Sequence, residues 1–307
     1  MPCRGVNKLT ATASVSIILK LMAIQPYFPR NSELISQEAG LVLVNHAGAT
    51  VSQDTGRDAQ ALADALRLVV VAADRPGTAG TVPRRAQRNI LATPSGYVAE
   101  SVSLGYAIDH QADMLGLKRL AITGRSAGGL GALALIRSET ISAASYLFAA
   151  EPPGCKAIPL KQGLQEFKEY SVRQKQLQQQ GRVHVPPRSA LQQPQAMLRL
   201  GSIAKNVFYD RFHNDAVWAS DAAVVFSRHI AANQPTVSAA IVFAEHSLVV
   251  DNQTYEQELL PTTNLRTKGA PFMIDQIAST THASFDDQNL FALLLRPTVE
   301  HMLSHEV

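Results

Sequence analysis

Residues 120–136 read LAITGRSAGGLGALALI, an apolar run set directly against a glycine-flanked serine and then a stretch of small and aliphatic residues. The spacing predicts a strand over 119–123 and a helix from the serine to about Arg137, with almost no chain between them. A chain that passes from strand to helix within one residue must turn sharply. Gly124 and Gly128, two positions either side of Ser126, leave room for the strand and the helix to approach each other at that turn. The hydroxyl is then pushed out above the end of a sheet. The helix start beneath it offers backbone N–H groups and the positive end of a dipole to a developing oxyanion. Gly124-Arg125-Ser126-Ala127-Gly128 thus fits G-x-S-x-G in the strand–turn–helix setting that gives the pattern its chemical meaning. Neither G-x-G-x-x-G nor G-K-[ST] is present, which disfavours a phosphate-binding loop.

The rest of the chain repeats the strand–helix rhythm. LVLVN (41–45) and LVVVAAD (68–74) read as buried strands, DAQALADALR (58–67) as a helix between them, and 93–117 as a helix capped by Thr93 or Ser95 with Pro94 in its first turn. ISAASYLFAAEPPG (141–154) reads as a strand stopped by two prolines. After a polar break the pattern resumes with a helix near 214–232, the strand SAAIVFA (238–244), a helix near 252–260, the strand FMIDQIA (272–278) and a C-terminal helix in NLFALLLRPTVEHML. Strands separated by helices imply βαβ units, hence an α/β fold with a mostly parallel central sheet flanked by helices. The expected core is 1–151 with 206–307. Residues 152–205, Gln-rich and without a strand pattern, are expected to form an inserted helical lid, with Leu164, Phe167, Tyr170 and Leu177 on its inner face. Alternation within TASVSIILKLMAIQPYF reads as N-terminal strands rather than as a leader segment.

Composition narrows the function classes. The net charge of +3 is small and the basic residues are scattered, so there is no electrostatic footprint for nucleic acid. No apolar run approaches the roughly 18 residues of a membrane span. The cysteines, Cys3 and Cys155, lie far apart and lack metal-ligand spacing; free thiols in a reducing, cytoplasmic setting are expected. No metal or organic cofactor is implied, and nothing indicates an oligomeric state.

A serine hydroxyl needs a base to become a nucleophile. Of the nine histidines, His282 in STTHASFDD stands in a loop after the last strand and before the last helix, where such a base belongs. LVLVNHAGAT, VVVAADRPGTAGT, LAITGRSAGG and this late histidine, in that order, resemble the α/β-hydrolase fold superfamily over about 41–135 and 238–300. The resemblance implies that His46-Ala47-Gly48 occupies the place of an HG-containing oxyanion loop, with Ala47 where glycine is usual. Gly48 and Ala127 would then supply the oxyanion N–H groups. Asp74-Arg75-Pro76-Gly77 would be architectural, and Arg125 stands where the relatives often have histidine.

The third member should be a carboxylate that orients the histidine. In most relatives it follows the penultimate strand, but here Ser247 occupies that position. Glu151, Glu245 and Asp251 are the candidates. Glu151 is favoured, because a charge at the end of an apolar strand requires a partner, and some α/β-hydrolases, including part of the haloalkane dehalogenase family, take their acid from that strand end. The implied activity is a serine hydrolase acting on a small carboxylic ester or related acyl compound through an acyl-enzyme. Amide or thioester cleavage, acyl transfer, and a non-catalytic binding protein on the same scaffold remain alternatives. Dehalogenation does not fit, since it uses an aspartate nucleophile.

Overall fold

The computed structural model describes residues 24–44, 54–73, 93–158, 160–183, 185–186 and 220–304. The segments read as strands become neighbours in a seven-stranded sheet of order β1-β3-β2-β4-β5-β6-β7. These are β1 (Gln25–Tyr27), β2 (Ala39–Val44), β3 (Val69–Ala73), β4 (Arg119–Arg125), β5 (Ala144–Ala150), β6 (Ser238–His246) and β7 (Phe272–Thr281). Only β1 runs antiparallel, against β3; every other pairing is parallel. Among the described residues the N-terminal strand reading survives as β1 alone, because the earlier part of that segment lies outside them.

Parallel strands need crossover helices, and the sheet is covered on both faces. The helices are α1 (Asp54–Leu66), α2 (Pro94–Met114), α3 (Ala127–Ser138), α4 (Leu160–Gln179), α5 (Ala222–Asn233) and α6 (Gln288–Ser304). Alternate residues of each strand feed opposite cores. Val42, Val44, Val69, Val71 and Ile122 pack with residues of α2, α3 and α5. Leu41, Leu43, Val70, Ala72 and Phe148 pack with α1 and α6, where Phe148 meets Phe291 edge to face, ring centroids 5.6 Å apart. Each Val, Leu, Ile or Phe side chain among them contributes about 1.5–3 kcal/mol through burial. As anticipated, Thr93 caps α2, its hydroxyl accepting from Gly96 N–H at 3.1 Å, with Pro94 in the first turn.

Boundaries shift where polar groups intervene. β5 begins at Ala144 rather than Ile141, because Asp109 captures the backbone N–H of Ser142 and Ala144 N–H turns back to the Ile141 carbonyl. The helix expected over 252–260 is one short turn (Asn252–Thr254), a π turn (Tyr255–Leu259) and a 3-10 stretch (Leu260–Leu265). Pro261 has no N–H for the i−4 carbonyl, which breaks a regular ladder there. β7 runs on to Thr281, three residues past its expected end, paired along β6. In the expected lid, 152–205, α4 is described and residues 187–205 are not. No described helix is long and apolar enough to cross a membrane.

Every parallel strand points the same way, so the residues that follow their carboxyl ends converge on one edge, the usual place for a site in an open α/β sheet. Ser126 follows β4, Glu151 follows β5, Ser247 follows β6 and His282 follows β7.

Candidate active site

Ser126 sits between β4 and α3 with φ 51° and ψ −132°, a conformation that costs a non-glycine residue about 1–3 kcal/mol. Hydrogen bonds hold it there. Its N–H donates to the Ala150 carbonyl at 2.8 Å, and its own carbonyl accepts from Gly129 N–H at 2.8 Å. The Ala127 N–H, in the first turn of α3, has no intrahelical carbonyl to serve. The flanking glycine is required by contact: a Cβ on Gly124 would lie 2.3 Å from the Gly128 carbonyl oxygen. Gly124→Ala is therefore expected to destabilise the fold by about 3 kcal/mol or more, read by denaturant unfolding; a loss below about 1 kcal/mol would show that strand and helix can separate without penalty.

Glu151 is strained too, at φ 52°, and completely buried. A buried carboxylate without partners would be prohibitively costly. Here Oε1 accepts from Ala244 N–H at 2.6 Å, and Oε2 accepts from the Ser247 hydroxyl at 3.0 Å and pairs with His282 Nδ1 at 2.8 Å. The register of β6 against β7 slips between Ala244 and His246, beside that first contact. An ionised carboxylate in this place can only accept from Nδ1, and a neutral ring that donates through Nδ1 keeps its lone pair on Nε2. Ser247, which stands where a carboxylate was expected, instead positions the carboxylate from the neighbouring strand. Its Oγ also accepts from Val249 and Val250 N–H, which fixes the loop after β6.

The other candidate acids are engaged elsewhere. Glu245 Oε2 accepts from Ser279 N–H at 2.8 Å. Asp251 caps the following turn, accepting from Thr254 N–H at 2.6 Å, and pairs with Lys156 at 3.0 Å. Burial opposes its ionisation, but the Thr254 backbone and hydroxyl and the Lys156 ammonium hold its carboxyl below the usual range. Of the three, the structure brings Glu151 to His282. Gly48, with the rest of His46-Ala47-Gly48, and Asp74-Arg75-Pro76-Gly77 lie outside the described residues.

His282 opens a 3-10 turn (His282–Asp286) capped reciprocally by Thr281 and Ser284. Its backbone N–H donates to the Tyr170 hydroxyl at 2.8 Å, a contact from α4 across 112 positions that the sequence marked only as an inner-face residue of the lid. Tyr170 and Leu177 are buried as anticipated; the side chains of Leu164 and Phe167 lie outside the description. Burial pushes the Tyr170 phenol up to about 12, and the Glu151 charge acts in the same direction. An unfolded tyrosine ionises near pH 10. The folded state thus holds this proton more tightly, and the stability it contributes below about pH 10 is lost as pH climbs towards about 12. Tyr170→Phe should flatten the fall in unfolding free energy over that window; an unchanged slope would contradict this.

Cys155 is a buried free thiol whose Sγ lies 3.3 Å from the Pro152 carbonyl. Burial raises its pKa well above the ordinary value, with the Glu151 and Asp251 charges adding, so it is kept as an unreactive thiol. Among the described residues no group of His, Cys, Asp and Glu side chains could hold a metal ion. A cavity of about 610 Å³ lies between α4 and the loop after β6, lined by Tyr170, Arg173, Glu245, His246, Ser247 and Asp251 among others. It backs onto the residues that hold Glu151 and His282.

The architecture has parallels among solved structures. A proline iminopeptidase from Mycobacterium smegmatis superposes with a TM-score of 0.55 at 14% identity, covering 92% of this chain and 96% of that one. The enol-lactonase from Burkholderia xenovorans LB400 gives 0.55 at 16% identity, covering 91% and 96%. An esterase from Pyrobaculum calidifontis gives 0.52 at 14% identity, covering 95% and 92%. The chain has the α/β-hydrolase fold. No protein-family model and no curated protein sequence matches it. Within the α/β-hydrolase fold of this chain, the turn at Ser126 and the Glu151–His282 pair share the carboxyl edge of the sheet, and the carboxylate comes from the end of β5 rather than the end of β6.

Proposed function

We propose that the protein is a serine hydrolase that cleaves a carboxylic ester or a related acyl compound through an acyl-enzyme intermediate. The observation that carries this reading is the buried Glu151 carboxylate on His282 Nδ1, at the sheet edge where the chain also strains Ser126 into a left-handed φ. A structural ion pair would not call for a strained serine on the adjoining strand end.

In this reading His282 Nε2 takes the Ser126 hydroxyl proton as Oγ attacks the acyl carbon. The oxyanion is held by the N–H groups of Ala127 and Gly48. His282 then returns the proton to the departing alkoxide, leaving the acyl group on Oγ. Water, deprotonated by the same imidazole, attacks the acyl carbon; the bond from that carbon to Oγ then breaks, the carboxylic acid leaves, and the imidazolium returns its proton to Ser126 Oγ. Glu151 keeps Nδ1 protonated throughout and stabilises the imidazolium. Residues 152–205 act as a lid, with α4 tethered to the core through Tyr170. The structural neighbours include a proline iminopeptidase, an enol-lactonase and an esterase, which supports the reaction class and leaves the leaving group open.

A series of p-nitrophenyl esters of graded acyl length, with peptidyl and thioester controls, tests the reading. Hydrolysis that disappears in Ser126→Ala supports it. Full turnover in that variant, or none with any substrate in the parent protein, counts against it and favours a binding protein on the same scaffold.

A further inference from the structure

The residue before Ser126 is a buried arginine, and its head group reaches the turn that carries His282. Arg125 is 8% exposed. Its Nη1 donates to the Phe285 carbonyl at 2.7 Å, its Nη2 donates to Asp58 Oδ2 on α1 at 2.8 Å, and its Nε lies 3.5 Å from Asp286 Oδ1. Phe285 and Asp286 end the 3-10 turn that begins with His282. One side chain, rooted beside Ser126, therefore grips the far end of the turn that presents the histidine.

Stability alone does not explain this choice. A buried ion pair costs much of what it returns, and an apolar pair of similar volume often serves as well or better. What the guanidinium adds is a rigid, planar fork of donors with fixed directions. Asp58 orients one edge of the fork, and the other edge meets the Phe285 carbonyl. The near end of the turn is already fixed, by the Thr281–Ser284 cap and by Tyr170 on the His282 N–H. With Arg125 on the far end, the turn is held at both ends, and Glu151 sets the rotation of the imidazole between them.

We propose that Arg125 is a positioning residue that sets the separation of Ser126 from His282 by bracing the 3-10 turn His282–Asp286 against α1 through Asp58. This rests on Ser126 and His282 being nucleophile and base. A misplacement of reacting groups by about 1 Å costs on the order of 100-fold in rate.

The test uses the full chain, the best p-nitrophenyl ester found for it, and a fluorophosphonate as a second probe of Ser126. Arg125→Met is expected to lower kcat by about 100-fold with KM within about threefold, and to slow fluorophosphonate labelling in parallel. Arg125→Met with Asp58→Leu replaces the pair by apolar groups; its thermal midpoint should return towards that of the parent protein while kcat stays low. Arg125→Lys keeps the charge but cannot span both partners, and should lose about tenfold in kcat. Recovery of kcat along with the midpoint in the double variant overturns the proposal, as does parental kcat in Arg125→Lys, which decides the matter if Arg125→Met does not fold. Labelling that persists in Ser126→Ala is a different failure, since it removes the serine assignment on which the proposal rests.

Discussion

Ser126→Ala is expected to reduce ester turnover by about 10⁶-fold, to the level supported by binding and the oxyanion donors alone, while the protein stays folded. The size follows from the roles. Once the hydroxyl is gone, the base has nothing to deprotonate and no acyl-enzyme can form, so the whole covalent route is lost. Stability should hold, because alanine keeps the Cβ and the backbone hydrogen bonds that fix this turn at φ 51°. Steady-state kinetics together with a thermal melt check both halves. A variant that keeps more than about a hundredth of the activity would remove Ser126 from the chemistry.

Glu151→Gln is expected to lower kcat by about 10⁴-fold. The substitution is nearly isosteric and keeps an oxygen that can accept from Ala244 N–H. It places an NH₂ group or an uncharged oxygen against His282 Nδ1. If the NH₂ faces the ring, Nδ1 must become the acceptor, Nε2 carries the proton, and the base is in the wrong tautomer. If the oxygen faces the ring, the tautomer survives but the imidazolium loses its counter-charge. Circular dichroism should show an intact fold, and the rate should not recover at higher pH if the tautomer is at fault. Near-parental turnover in Glu151→Gln, with a large loss in Glu245→Gln or Asp251→Asn, would transfer the role.

The parts of this fold visible in the sequence are those written over short distances. The buried runs of β2 to β6, the cap at Thr93 and the strand–serine–helix turn each depend on neighbours within a few residues. Glu151 was recognisable by a local anomaly, a charge at the end of an apolar strand, though the sequence could not say which group answers it. What answers it is non-local. Ser247 lies 96 positions away and His282 lies 131 positions away, and they meet Glu151 because three parallel strands end at one edge. Ser247 read as a vacant acid position, whereas its hydroxyl donates to the Glu151 carboxylate at the end of the adjacent strand. The clasp of Arg125 on Phe285, 160 positions apart, and that of Tyr170 on His282 were likewise invisible, because no periodicity connects them. The helix expected near 252–260 proved irregular and ran on to Leu265, through Pro261, a local signal that lay just past its expected end.

Mass spectrometry of the protein after reaction with a fluorophosphonate tests the central assignment most directly. Trypsin cutting after Arg125 and after Arg137 releases residues 126–137, SAGGLGALALIR, with Ser126 as the first residue and the only hydroxyl-bearing one. The account predicts one phosphonyl adduct, on this peptide, formed slowly or not at all in His282→Ala and absent in Ser126→Ala. An adduct on another peptide, or unmodified protein under conditions that label a known serine hydrolase, would contradict it.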